Sequence, residues 1–265
     1  AENKRWAALP VRRRSEFENP MKLFVDVGNT AIKWRYCDGA TVHQGGCRHE
    51  REWSRVVDVM LAGAGRSPEE IWIASVAGPE AGTVIAACLA NRTGCQPRFY
   101  YSCESDFGVQ SCYPEPRKLG VDRWVAMIEG FQRYGASIII DCGSALTIDA
   151  VDGRGVFLGG YIVPGLGMLR GALLRDTSDV HIEPGTAQLQ LGQSTGECVH
   201  NGLLRMSVAF VTEVVVELRQ VLDDTSKVLV TGGDAPELIG SFAFEFEHAP
   251  DLVLDGLERV AARQQ

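Results

Sequence analysis

Two apolar segments of this chain end in nearly the same polar string. Leu23-Phe24-Val25-Asp26-Val27-Gly28-Asn29-Thr30 recurs as Ile138-Ile139-Ile140-Asp141-Cys142-Gly143-Ser144-Ala145. Each copy is a bulky, β-branched run that reads as a buried strand, then an Asp, a Gly that lets the backbone turn close to a ligand, and a small hydrogen-bonding side chain. A single string of this kind usually just ends a strand. Two copies on matching strands point to a site that holds phosphates and a cation, and to a chain built by duplication.

The pattern around each copy repeats as well. Strands are expected at Lys22 to Val27, Ala31 to Cys37 and Thr41 to Gly45, with a turn at Asp38-Gly39. Next come a helix over Glu50 to Ala62, a strand over Ile71 to Val76, a helix over Glu80 to Asn91 and a short strand over Pro97 to Tyr100. A loop rich in Cys, Ser, Pro and Gly spans Ser102 to Leu119, and Val121 to Tyr134 reads as a helix. The order then restarts with strands at Ser137 to Asp141, Leu146 to Val151 and Gly155 to Ile162. A helix over Gly165 to Arg175, an irregular stretch over Asp176 to Leu191, a long helix over Thr195 to Leu222 and a strand over Lys227 to Thr231 complete the reading. Two such halves describe an α/β, duplicated ribonuclease-H-like (actin-like ATPase) fold, with two lobes and a nucleotide cleft between them. The boundaries expected are 1–20 for a leader or disordered extension, 21–135 for the N-terminal lobe and 136–265 for the C-terminal lobe.

Composition narrows the ligand. With 45% hydrophobic residues in 265, the chain can bury a large core. Its formal net charge is -8; Lys4, Arg5, Arg12, Arg13 and Arg14 outweigh Glu2, Glu16 and Glu18 in the first twenty residues, leaving -10 for the rest. So acidic a body argues against direct nucleic-acid binding and favours a small phosphate ligand that arrives with metal. No stretch reads as a membrane span of about 20 apolar residues. The eight cysteines show no C-x-x-C pair, which favours free thiols in the cytoplasm over a disulfide framework or a zinc site.

Five motifs in order give the chain a family resemblance. Asp26-Val27-Gly28-Asn29-Thr30 with Lys33, Tyr113 and Pro116 followed by Gly120-Val121-Asp122-Arg123, Asp141-Cys142-Gly143-Ser144-Ala145-Leu146-Thr147, Gly159-Gly160-Tyr161-Ile162-Val163-Pro164-Gly165, and Thr231-Gly232-Gly233-Asp234 resemble the motifs of type III pantothenate kinases, members of the acetate and sugar kinase/Hsp70/actin superfamily. The likeness implies transfer of the ATP γ-phosphoryl group to the primary hydroxyl of pantothenate, the first step of coenzyme A synthesis. It also implies the site. Asp26, Val27, Gly28, Asn29, Thr30, Ala31, Ile32 and Lys33 would bind ATP, with Asp26 holding Mg²⁺ directly or through water; Ser144, Gly232 and Gly233 would complete the nucleotide side. Asp141 would bind a monovalent cation, K⁺ or NH₄⁺. Tyr113, Gly120, Val121, Asp122 and Arg123 would bind pantothenate, together with Thr177 of a neighbouring subunit in a homodimer with a shared active site.

Several of these residues have a second reading. Asp122 resembles the catalytic base, yet an Asp just ahead of Arg123-Trp124-Val125 is also well placed as a helix N-cap. Arg123 could hold the pantothenate carboxylate or anchor its loop by a salt bridge. Lys33 could add charge to the site or face solvent, and Cys142 reads as core packing. Val208, Val211, Val214, Val215 and Leu218 fit either a dimer helix or an internal core stripe. Ser144 stands where the family usually has Thr, and the match decays beyond Thr177, where Ser178 and Val180 depart from the usual residues. Another phosphotransferase of the same fold, or an accessory factor for gene expression acting through protein partners, are the alternative functions.

Overall fold

The first signature segment runs through the middle of a sheet. β1 (Lys22–Val27) turns back into β2 (Ala31–Cys37), which pairs with β3 (Val42–Arg48) as an antiparallel meander. α1 (Trp53–Ala62) leads to β4 (Glu70–Ser75), parallel to β1 on its other side, and α2 (Pro79–Thr93) to the edge strand β5 (Arg98–Phe99). The order is β3-β2-β1-β4-β5. A small hairpin, β6 (Ser105–Asp106) and β7 (Val109–Gln110), and a 3-10 turn at Pro116–Lys118 precede α3 (Val121–Tyr134). The computed structural model describes residues 20–38, 42–176, 185–222 and 225–263.

The second half follows the same plan. β8 (Ser137–Cys142), β9 (Ala145–Val151) and β10 (Phe157–Pro164) form a meander, and α4 (Leu166–Asp176) and α5 (Thr195–Leu222) lead to β11 (Lys227–Thr231), parallel to β8. α6 (Ala235–Leu238), the edge strand β12 (Glu247–His248) and α7 (Leu252–Arg263) complete it. The order β10-β9-β8-β11-β12 repeats that of the first sheet strand for strand. The protein is a mixed α/β structure with two five-stranded sheets.

β1 and β8 are unbroken apolar runs because both of their faces are covered. Leu23, Val25 and Val27 pack with Val57, Met60, Ile85 and Leu89 of α1 and α2. Ile138, Ile140 and Cys142 pack with Leu204, Val211 and Val215 of α5, so Cys142 is a core residue. Their other faces meet in one shared core, where Phe24, Trp72, Ile139 and Leu229 from both sheets surround α3 and α7. Here the chain interlocks: α3 ends the first half yet packs on β8 and β9, while α7 ends the second half and packs on β1, β2 and β4.

Most expected elements form, several with the bounds read from the sequence. β10 starts at Phe157 rather than Gly155, because Gly155 sits in a turn at φ 84° with its N–H donated to the Asp152 carbonyl. The loop over Ser102 to Leu119 contains β6, β7 and the 3-10 turn, and α6, β12 and α7 were not expected. By length and composition α5 could cross a membrane, alone among the described helices, contrary to the sequence reading; half of its most apolar window is buried inside the protein. Val208, Val211, Val214 and Val215 are that buried face, which settles them as a core stripe.

Candidate active site

Each signature hairpin closes on its own glycine, but the two differ in length. Gly28 N–H donates to the Ala31 carbonyl at 3.0 Å across the Asn29-Thr30 turn, and Gly143 N–H donates to the Ala145 carbonyl at 3.1 Å with Ser144 at the tip. The second turn is one residue shorter. Asp26 therefore lies opposite Lys33, whereas Asp141 lies opposite Thr147. Directly opposed residues share a face, so both carboxyls and their opposites lie on the faces that turn toward the shared core.

The turns meet at their tips, where Ser144 Oγ donates to Thr30 Oγ1 at 2.8 Å. His49 braces the first turn from behind. Its Nε2 is 3.1 Å from the Gly28 carbonyl and its Nδ1 accepts Arg51 N–H at 3.2 Å, which leaves Nε2 as the donor. The ring is buried and packs tilted against Trp53, their centroids 4.4 Å apart, and Glu50 and Arg51 follow in the left-handed region at φ 42° and 64°. On the second turn, Gly165 N–H donates to the Ser144 carbonyl at 3.0 Å and Asp234 N–H to the Cys142 carbonyl at 2.7 Å. Gly232 takes φ 98°, and a Cβ there would run into the Cys142 carbonyl and the Asp141 carboxylate. Nothing in the sequence strings singles out His49.

The start of α3 supplies the third carboxyl. Gly120 is the residue that caps the helix and Asp122 is the second residue inside it, so the N-cap reading of Asp122 does not hold. Its Oδ1 accepts Arg123 N–H at 2.7 Å. The Arg123 side chain is buried, with Nε donating to Asp149 Oδ2 at 2.9 Å, Nη2 to Asp149 Oδ1, and Nη1 to the Tyr113 hydroxyl at 3.1 Å. The anchoring salt bridge is thus present, made to a partner the sequence did not identify. Gly120 and Val121 also line a cavity of about 620 Å³ with Ser75, Val76, Phe99, Tyr101 and Arg117.

Burial raises the Asp26 carboxyl to about 7, helped by the charges of Asp122 and Asp141 and opposed by Lys33. Burial likewise raises Asp141 to about 7, with Asp122, Asp149 and Asp234 adding to it and Lys33 again opposing. Asp122 is raised by burial, partly offset by the Arg123 N–H and guanidinium. Carboxyls from three distant segments therefore act on one another. Among the described residues no three His, Cys, Asp or Glu side chains converge into a metal centre of their own. Asp26 and Asp141 each bring a single buried carboxyl, the kind of ligand that Mg²⁺ takes one or two of beside waters and substrate phosphates.

Asp26, Gly28, Thr30, Lys33, Asp122, Asp141, Ser144 and Gly232 are brought together, and Tyr113, Gly120 and Arg123 gather about the start of α3. Asn29, Ala31 and Gly233 are exposed. Val27 and Ile32 pack in the core against α1 and α2, leaving only their backbones for a ligand. Thr177 lies outside the described residues.

A family model described as type III pantothenate kinase matches residues 22–217, from β1 through most of α5. The chain belongs to the type III pantothenate kinase family. A type III pantothenate kinase from Alcanivorax borkumensis is 83% identical over 245 residues, covering 92% of this chain and all of that one. Another, from Nitrosococcus oceani, is 32% identical over 250 residues, covering 91% and 94%. Among solved structures, a Baf family protein from Campylobacter jejuni aligns with a TM-score of 0.56 at 18% identity, covering 91% of this chain and 98% of its own. The ethanolamine utilization protein EutJ from Carboxydothermus hydrogenoformans aligns with a TM-score of 0.51 at 14% identity, covering 92% of each. These two likenesses concern the fold alone.

Proposed function

We propose that this kinase transfers the γ-phosphoryl group of ATP to the primary hydroxyl of pantothenate, giving 4'-phosphopantothenate for coenzyme A synthesis. The observation that carries this reading is the meeting of the two hairpin tips beside the Asp122 carboxyl. Phosphoryl transfer leaves little covalent chemistry to the protein: it needs the nucleotide held, its charge countered and the acceptor aimed in line. Backbone N–H groups and hydroxyls of Gly28, Asn29, Thr30 and Ser144 would hold phosphate oxygens, and Gly232 and Gly233 would border the nucleoside. Lys33 would counter charge, with Asp26 holding Mg²⁺ directly or through water. The chemistry such an ion supplies when bound is positive charge that would offset the charge developing on the transferred phosphoryl group. Asp141 would hold K⁺ or NH₄⁺.

Asp122 would accept the proton of the pantothenate hydroxyl and aim its oxygen. A carboxyl raised by burial is a better proton acceptor than one in water. Tyr113, Gly120, Val121 and Arg123 would form the pantothenate side. The nucleotide would lie between two lobes, 21–135 and 136–265, in a cytoplasmic homodimer whose neighbouring subunit lends Thr177 to the pocket. Exposed Tyr161, Ile162, Met168, Leu173 and Leu174 on β10 and α4 provide apolar surface for that contact.

Purified protein given ATP, Mg²⁺ and K⁺ is expected to phosphorylate pantothenate. Asp122→Asn is expected to lower kcat by about a hundredfold or more while keeping a cooperative thermal melt. A wild-type chain that leaves pantothenate unphosphorylated would sink the assignment.

A further inference from the structure

We infer that Asp149 is a positioning residue for substrate binding, holding the Arg123 guanidinium side-on so that its end-on edge is presented to a carboxylate. The inference rests on the functional reading above and extends it to a residue outside the five motifs' ligand positions. Asp149 lies on β9 opposite Ile139 on one side and Gly160 on the other. Its side chain is 1% exposed and that of Arg123 is 7% exposed.

A guanidinium has five N–H donors. Asp149 takes Nε and one N–H of Nη2, and the Tyr113 hydroxyl takes one N–H of Nη1. One N–H therefore remains on each terminal nitrogen. The one on Nη2 lies on the end-on edge, because Asp149 occupies the side-on edge, and Nη1 is its neighbour there; this is the edge open to a carboxylate. Tyr113 is fixed in turn, stacked on Phe157 at 6.0 Å. β10 leaves room for the pair only because residue 160 is glycine: a Cβ there would run into Asp149 Oδ1 and sit 3.1 Å from Arg123 Nη2.

A merely structural pair stapling α3 to β9 would alter stability without choosing between substrates. The test is Asp149→Asn, with both Michaelis constants measured beside a thermal melt. The pantothenate KM is expected to rise at least about tenfold while the ATP KM stays within about twofold. In an Arg123→Lys background the same change is expected to add less than about twofold, because the residue acts through Arg123. An unmoved pantothenate KM, equal rises in both constants, or effects that multiply would overturn the inference. If Asp149→Asn gives no cooperative melt, Asp149→Glu, which keeps the charge but pushes the guanidinium outward, is read by the same criteria; failure of both to fold would assign Asp149 to the fold alone and overturn it too. A wild-type chain inactive on pantothenate would instead overturn the functional reading beneath it.

Discussion

Asp26 and Asp141 are carboxyls placed where water cannot fully solvate their charge and where other carboxyls surround them. An unfolded Asp titrates near 4, and these two are raised to about 7. The folded chain therefore binds protons more tightly than the unfolded one. The stability this contributes is fully present below about pH 4 and is lost as pH rises through about 7. Ligand-free protein in a chelator is expected to melt at a lower temperature at pH 8 than at pH 6, by scanning calorimetry, and Mg²⁺ with nucleotide should flatten that slope. A melting temperature that is level or rises over this interval would refute the placement of these charges. At this scale the site was partly legible: Asp26, Asp122 and Asp141 each stand beside a glycine in a short string. Asp149 and His49 were not, because their roles depend on cross-strand register and on a buried contact to another turn, neither of which is local in sequence.

At the scale of elements, the strongly patterned segments were the readable ones. β1, α3, α5 and β11 form over the residues that their apolar runs and turn residues mark out. α7 carries a comparable helical stripe in Leu252, Val253, Leu257, Val260 and Ala261, yet its place follows from tertiary packing, since it covers a sheet formed some two hundred residues earlier. What ties it there is Arg35 of β2, which reaches Asp255 at 2.5 Å, Glu258 at 3.1 Å and Asp251 at 3.6 Å. α7 also presses on α3, where a Cβ at Gly256 would run into the Val125 carbonyl. Gly256→Ala would gain about 1 kcal/mol of helix propensity, against about 1–3 kcal/mol for overpacking against backbone. Net destabilisation of up to about 2 kcal/mol is expected in urea unfolding. A variant more stable than wild type would mean that the two helices can slide apart.

Across the whole molecule the duplication extends to the way helices are fastened to sheets, with the charges reversed. In the first sheet an arginine, Arg35, holds acids of α7; in the second an acid, Asp149, holds an arginine of α3. Each half thus fastens a helix belonging to the other, and neither sheet covers its inner face alone. The proposed dimer adds a further level of sharing. Mixing Asp122→Asn chains with Thr177→Ala chains is expected to restore turnover in part, because a heterodimer assembles one site free of both changes; no recovery in a mixture that sedimentation shows to be dimeric would remove Thr177 from the shared pocket. The one-residue difference between the hairpins also has a consequence for the whole enzyme. Lys33 stands opposite Asp26, whereas the shorter turn sets Thr147, which carries no charge, opposite Asp141. The first sheet thus sets a lysine directly across from its signature carboxyl and the second sets a hydroxyl, so the one lysine opposes the raised proton affinity of both carboxyls.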